Sequence, residues 1–196
     1  MDTYLSINTS SEGIYKEKGS RFTAFAYPLS SVDEAKSLLL DLRKQYHDAR
    51  HICYAYALGT EVVEIRANDD GEPSGTAGRP ILGVIQSHRL TNVLIAVVRY
   101  FGGVKLGTSG LINAYREAAA DALRNGEIVE RIVTKEHTVE FDYPQVNEVM
   151  RAIKDENCEV IEQDFGLRCR LHFRIRKASE EQMLVRLQKI EGLRLG

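Results

Sequence analysis

The chain concentrates residues that can hold an anion between positions 99 and 110, where it reads RYFGGVKLGTSG. The apolar run Val93–Val98 before this segment predicts a strand buried on both faces, and the apolar spacing from Leu111 onward predicts a helix. A glycine-rich turn that enters a helix leaves free backbone N–H groups at the positive end of the helix dipole, and Thr108 or Ser109 is expected to cap that helix. The predicted anion or phosphate site consists of Arg99, Gly102, Gly103, Lys105, Gly107, Thr108 and Ser109.

Two other interpretations of this turn stay open. The glycines could serve only to let the strand and the helix pack closely. The segment Lys105–Gly110 is also similar to the phosphate-binding loop of the small-molecule kinases that include homoserine and mevalonate kinases. That interpretation would make the protein a phosphotransferase. The spacing matches neither of the common nucleotide-binding patterns, GxGxxG and GxxxxGK[ST].

A second segment without apolar periodicity, Asn68–Pro80, reads NDDGEPSGTAGRP and predicts a long loop followed by a short helix that Pro80 opens. Its three carboxylates could bind a hard cation, but the alternating ligands of an EF-hand are absent, so we favour a solvated acidic turn. Arg79 is held extended by the proline that follows and can reach an anion. The loop residues assigned to the same ligand-binding face are Asp69, Asp70, Glu72, Ser74 and Arg79.

Three stretches in this order carry a family resemblance: CYAY at Cys53–Tyr56, the loop DDGEPSGTAGRP at Asp69–Pro80, and TNVLIAVVRYFGGVKLGTSGLINAY at Thr91–Tyr115. Together they resemble the YigZ/IMPACT family, and its bacterial two-domain branch in particular. The resemblance implies an α+β protein. Its first domain would be a two-layer α/β fold similar to domain 2 of a small-subunit ribosomal protein and to domain IV of elongation factor G. The second would be a ferredoxin-like βαββαβ domain similar to domain V of that factor.

The resemblance also implies a function. Eukaryotic members of the family regulate translation by binding another protein and so restraining the initiation-factor kinase that responds to amino-acid starvation. We therefore expect a non-catalytic binding protein that acts in regulation of translation or in a stress response. The expected partners are a protein, RNA or the ribosome, together with a phosphate-type anion.

The pattern along the chain predicts two domains, residues 1–130 and 131–196. In the first, Ser31 and Glu34 form the capping box of a helix, and His51–Leu58 and Glu61–Ala67 alternate as two strands. The second reads as strand, helix opened by Pro144, two strands, helix capped by Ser179 and a last short strand. That order is βαββαβ.

One strand of the second domain alternates cationic and apolar residues, which invites an RNA-binding interpretation. The cationic positions would share one face of the strand. We favour a solvated outer sheet face with Asp and Glu partners in Cys158–Asp164, and keep RNA binding as the runner-up, because the paired exposed aromatics of an RNA-recognition platform are absent. The nucleic-acid-binding residues in that runner-up are Arg168, Arg170, Arg174 and Arg176.

Composition is that of a globular protein: 196 residues, 43% hydrophobic and 28% charged, with a formal net charge of −2. The net charge gives no bulk electrostatic reason for tight nucleic-acid binding. The N-terminal residues have neither a basic start nor an apolar core, and no apolar run is long enough to span a membrane, so we expect a cytoplasmic protein without membrane contact. Three cysteines without CxxC spacing predict reduced structural thiols.

Other residue types that catalyse reactions do not form a pattern. His47 and His51 flank a short polar segment near Cys53, but their positions favour a helix-end cap and a surface residue. No serine stands in a GxSxG elbow. Tyr100 and Phe101 are read as packing residues at a strand end. We assign no catalytic residue, no metal ligand and no cofactor, and favour a protein that is not an enzyme.

Overall fold

The computed structural model describes residues 2–196 as a mixed α/β protein. The described residues form two compact units, 4–131 and 132–196, the latter together with the N-terminal end of the chain up to Thr3. The elements are β1 (Thr3–Ile7), β2 (Ser11–Glu17), β3 (Ser20–Pro28), α1 (Val32–Gln45), β4 (His51–Leu58), β5 (Glu64–Asn68), α2 (Gly78–Ser87), β6 (Val93–Tyr100), α3 (Gly107–Arg124), β7 (Ile128–Ile132), β8 (Thr134–Asp142), α4 (Val146–Asp155), β9 (Glu159–Phe165), β10 (Arg168–Arg176), α5 (Lys177–Leu187) and β11 (Arg194–Leu195).

The first unit is built on a five-stranded sheet of order β2-β3-β6-β4-β5, in which every neighbouring pair is antiparallel. Alternate residues of the central strand β6 face opposite sides: Val93, Ile95 and Val97 join the core under α2 and α3, and Leu94, Ala96 and Val98 join the cores under α1. The prediction of a strand buried on both faces is confirmed. The expected two-layer arrangement is wrong for the described unit, because a strand without polar residues on either face needs helices on both.

The predicted cap of helix α1 is present, whereas helix α2 begins at a different residue from the one predicted. Ser31 is the N-cap of α1, as predicted, and accepts a hydrogen bond from Glu34 N at 3.1 Å. The Glu34 carboxylate reaches back to Ser30 rather than to Ser31, accepting its N–H and hydroxyl. Helix α2 begins at Gly78, not at Pro80.

The second unit has the predicted βαββαβ order, with a short 3-10 turn at Tyr143–Gln145 before α4. Its sheet has the antiparallel order β11-β8-β10-β9, and the inner residues of β8 and β10 pack with those of α4 and α5. Helix α5 begins at Lys177, so the prediction that Ser179 caps it is wrong. The N–H of Ala178 instead donates to Asp2 Oδ1 at 3.1 Å, which places a carboxylate at the positive end of the helix. In the described part of the chain, no helix is both long and apolar enough to cross a membrane.

Candidate functional site

A cleft of about 670 Å³ opens on the first unit where β6 ends and α3 begins. The start of β4, the loop before it and the loop after β5 complete its walls. The lining residues are Asp48, Arg50, His51, Glu72, Pro73, Arg99, Tyr100, Phe101, Lys105, Leu106, Gly107, Thr108 and Leu111. Cations, apolar side chains and a helix N-terminus therefore meet in one concave surface.

Arg99 is the central side chain of the cleft. It stands opposite Phe22 on β3 and opposite His51 on β4, so all three side chains lie on one face of the sheet. The guanidinium carbon lies 5.5 Å from the ring centre of Phe22 and 5.8 Å from that of Phe101. Two aromatic rings thus hold the guanidinium in place, although the side chain is only 9% exposed.

Glu72 neutralises this buried cation. Its Oε1 accepts from Arg99 Nη1 at 2.5 Å and from the hydroxyl of Tyr115 at 2.7 Å. The Tyr115 hydroxyl also lies 3.3 Å from Cys53 Sγ, which lies 3.0 Å from the carbonyl oxygen of Asp69. Burial, and then the neighbouring Cys53 and Glu72, raise the pKa of Tyr115, and burial raises the pKa of the Cys53 thiol. The tyrosine stays a hydrogen-bond donor and the thiol stays protonated at neutral pH.

Several N–H groups at the cleft have no partner. In residues 2–196, Arg99 Nε is buried and makes no hydrogen bond. Helix α3 starts at Gly107 after Leu106, without a side-chain cap and without an acidic residue in its first turn. The prediction that Thr108 or Ser109 caps this helix is wrong, because both lie inside the first turn. The first-turn N–H groups have no acceptor within the helix.

The rim adds polar groups of both signs. Arg50 and Lys105 are exposed, and neither has an ion-pair or hydrogen-bond partner among the residues described. Tyr100 donates its hydroxyl to Asp48 Oδ1 at 2.6 Å, a bond that lowers the pKa of Asp48 and raises the pKa of Tyr100. His51 Nδ1 lies 2.7 Å from the carbonyl oxygen of Asp70, which can only accept, so Nδ1 carries a proton.

The loop carboxylates are bound within the protein, and the predicted solvated acidic turn is wrong. Asp69 accepts the N–H groups of Gly75, Ala77 and Gly78 at 2.8 to 3.0 Å, which closes the loop and caps α2. Burial acts to raise the pKa of Asp69, but these three donors outweigh it and lower the pKa. Asp70 accepts from Arg43 Nη2 at 2.5 Å and from Ile52 N at 2.6 Å.

The structure brings only part of the predicted ligand-binding set together. Five of its residues line the cleft: Glu72, Arg99, Lys105, Gly107 and Thr108. The others, Asp69, Asp70, Ser74, Arg79, Gly102, Gly103 and Ser109, are not among the lining residues. Gly102 is needed for close approach, since a Cβ there would lie 1.9 Å from the carbonyl carbon of Gly19. In the described chain, no group of three or more His, Cys, Asp or Glu side chains could hold a metal ion.

Several cleft residues are ones that the sequence did not assign to the site. Phe101, read as a packing residue, is 57% exposed, and His51, read as a surface residue, lies in the wall. Their contribution depends on the β3-β6-β4 strand order, which places the end of β6 beside the start of β4. The one local signal in the sequence was an aromatic residue at the strand end directly before two glycines.

The cationic strand of the second unit has the predicted alternation, with Cys169, Leu171, Phe173 and Ile175 buried between the cationic positions. Its outer-face neighbours in register are six carboxylates: Glu136, Glu140, Asp142, Glu159, Glu162 and Asp164. Arg174 pairs with Glu136 at 2.7 Å and with Glu159 at 2.9 Å, Arg168 lies 3.7 Å from Glu140, and Arg176 binds Asp2. Most partners are therefore on β8 or at the N-terminus rather than on β9 as expected. Arg170 has no such partner among the described residues.

Comparison with known proteins identifies a family that this chain matches. The Impact N-terminal domain matches residues 18–123. The IMPACT family member YvyE of Bacillus subtilis is 34% identical over 79% of this chain and 71% of its own length. An IMPACT family member of Thermus thermophilus is 40% identical over 73% of this chain and 76% of its own length. A crystal structure described as that of a hypothetical protein superposes with a TM-score of 0.77 at 28% identity, covering 100% of this chain and 97% of that one.

Proposed function

This chain belongs to the IMPACT family, and from that premise we propose that it is a non-catalytic binding protein acting in regulation of translation or in a stress response. Its partner is a protein, RNA or the ribosome, and it acts in the cytoplasm. The cleft between the end of β6 and the start of α3 is the recognition surface. The expected likeness of the two units to domains IV and V of elongation factor G belongs to the same proposal.

One observation carries the proposal: the buried carboxylate of the cleft, Glu72, is held inside the protein by two donors. Glu72 Oε1 accepts two hydrogen bonds, from Arg99 and from Tyr115. A general base needs a free acceptor that can reach the substrate proton. What the cleft offers instead is a set of donors and an exposed aromatic ring, which suits recognition.

A phosphotransferase remains the alternative, and the uncapped start of α3 beside Lys105 is what favours it. Such an enzyme also needs a carboxylate base and a magnesium ligand. Mg-ATP turnover with a panel of small hydroxyl compounds tests it. Turnover lost in Lys105→Ala would replace our proposal with this one.

RNA binding by β10 is the runner-up on the same chain. Arg170 favours it, because this arginine alone on the strand has no carboxylate partner within residues 2–196. The outer face nevertheless has six carboxylates beside four arginines, and such a face attracts phosphates weakly. We therefore rank it below the cleft.

The experiment is affinity purification of the whole chain after crosslinking in its own cells, followed by sequencing of attached RNA and protein together. The matched forms are wild type, a cleft variant with Lys105→Ala and Phe101→Ala, and a strand variant with Arg170→Ala and Arg174→Ala. Partners retained by the strand variant and lost by the cleft variant support the proposal. The reverse pattern, with binding that weakens steeply with salt, supports the RNA runner-up instead.

A further inference from the structure

We propose that the cleft binds a nucleoside 5′-monophosphate, with its phosphate held by Arg99 and the first turn of α3, and its base against Phe101. This inference rests on the proposed function, since it names the chemistry that the recognition surface takes. The nucleotide could be free or the 5′ end of an RNA, and both carry the same group.

The guanidinium of Arg99 has more donors than acceptors around it. It has five N–H bonds, and the only acceptor it meets in the described chain is Glu72, at Nη1. Nε has no acceptor and is buried, and a buried donor without an acceptor is a costly state. Arg99 lines the cleft, so a small rotation of its guanidinium would turn the Nε and Nη2 edge, a fork that matches two oxygens of a phosphate or carboxylate, toward an occupant.

The charge around this fork favours a phosphate over a carboxylate. The α3 N-terminus presents free N–H groups, and its first turn holds no acidic residue. Lys105 and Arg50 both line the cleft, without partners in the part of the chain that the structure describes. Glu72 and Arg99 offset each other, and Asp48, which stays ionised while it accepts from Tyr100, offsets one of the two remaining cations. A doubly charged group gains more from this excess of donors than a singly charged one.

The apolar side of the cleft indicates what carries the phosphate. Phe101 is 57% exposed, and Leu106, Leu111 and Pro73 line the same cleft. At about 670 Å³ the cleft is far larger than a phosphate ion. An exposed ring next to a phosphate seat is suited to stacking by a base. His51 keeps Nε2 unpartnered in the described structure and can bind a ribose or base polar group.

Amide and arginine side-chain NMR of the whole chain tests the inference with adenosine monophosphate, inorganic phosphate and adenosine. We expect the monophosphate to shift the amides of Gly107 and Thr108 and the Nε–H signal of Arg99. Inorganic phosphate should shift the same signals at higher concentration, and adenosine should leave the Arg99 signal in place. No shift of these signals with the monophosphate would overturn the inference.

Substitutions in the cleft test separately which residues bind the phosphate and which bind the base. Lys105→Ala should lower the affinity for the monophosphate roughly tenfold or more, as expected for loss of one hydrogen bond to a charged group. Lys16→Ala is the control: this lysine is exposed and lies outside the cleft, so its replacement should leave the affinity unchanged. Phe101→Ala should lower the affinity for the monophosphate and leave the affinity for inorganic phosphate unchanged. Arg99→Lys keeps the charge but loses the fork, and the folded variant should no longer bind the monophosphate. Equal affinity in Lys105→Ala, Phe101→Ala and Lys16→Ala would contradict the assignment.

The two sources are distinguished by RNA ends. A short RNA with a 5′-phosphate that binds more tightly than adenosine monophosphate, and much more tightly than the same RNA with a 5′-hydroxyl, identifies the RNA end. Equal binding of both RNAs together with a bound monophosphate identifies the free nucleotide. A phosphotyrosine peptide that binds more tightly than either would overturn the nucleoside assignment.

Failure of this inference and failure of the proposed function give different results. If partners are lost from the cleft variant but the monophosphate shifts no signal, the nucleotide inference is overturned and the cleft still stands as the recognition surface. A monophosphate that binds, with partners unaffected by the cleft variant, would support the nucleotide and overturn the proposed function.

Discussion

The hydroxyl of Tyr115, in the middle of α3, donates a hydrogen bond of 2.7 Å to a Glu72 oxygen that lies 43 positions earlier in the chain. The same oxygen accepts from Arg99, so one carboxylate ties α3, the loop after β5 and the end of β6 together. This three-way contact fixes the position of Arg99 at the cleft. The proposed binding surface therefore depends on a hydrogen bond that does not itself face the ligand.

Removing that hydroxyl should lower stability. Tyr115→Phe leaves Glu72 with Arg99 but without its second donor, and we expect the free energy of unfolding to fall by about 1–2 kcal/mol. Chemical denaturation followed by circular dichroism measures it. Tyr100→Phe is the matched control, because its hydroxyl bonds Asp48 at the exposed rim, and it should leave stability unchanged. Equal losses in the two variants would contradict the buried network.

Asp69 should make stability depend on pH. Its pKa is lowered in the folded protein, so its contribution is present above the unfolded value, about 4, and is lost as pH falls through the lower folded value. Asp69→Asn should therefore be less stable than wild type at pH 7, and the difference should shrink below about pH 4. Asp41→Asn, which removes an exposed carboxylate paired with Lys44, is the control for the loss of one negative charge. A difference between wild type and Asp69→Asn that is constant with pH would be inconsistent with this role.

The second unit should fold without the first, but with reduced stability. A fragment starting near Arg131 lacks Asp2, whose carbonyl accepts from Val133 N and whose carboxylate accepts from Ala178 N. We expect a cooperative thermal transition at a lower temperature than that of the same unit in the whole chain. Asp2→Ala in the whole chain should lower that transition alone. A fragment with no cooperative transition would count against the predicted boundary at residue 131.

Much of the fold could be predicted from local sequence patterns. The apolar run of β6, the bounds of β4 at His51–Leu58 and the alternation of β10 could all be read from neighbouring residues. Helix starts were less accurate. At two of them, α2 and α5, N–H groups of the first turn donate to Asp69 and Asp2, carboxylates that lie outside the helix and, for α5, far away in the chain. Local sequence carries no signal for such caps.

The site was predicted in part for the same reason. Lys105, Gly107 and Thr108 could be recognised because a glycine-rich turn before a helix is a local pattern. The pairing of Glu72 with Arg99 and Tyr115 could not, because it depends on strand order and on the path of a loop. For that reason the loop carboxylates were read as solvated, whereas each of them is bound.

The central claim, that the cleft is the recognition surface, is tested most directly by photo-crosslinking from two exposed positions in the whole chain. A photoreactive phenylalanine analogue at Phe101 samples the cleft, and the same analogue at the fully exposed Leu167 samples the second unit. After irradiation in cells, we predict crosslinked partners from position 101 that are lost with Lys105→Ala, and none of these partners from position 167. Crosslinks from position 167 alone, unaffected by Lys105→Ala, would contradict the claim.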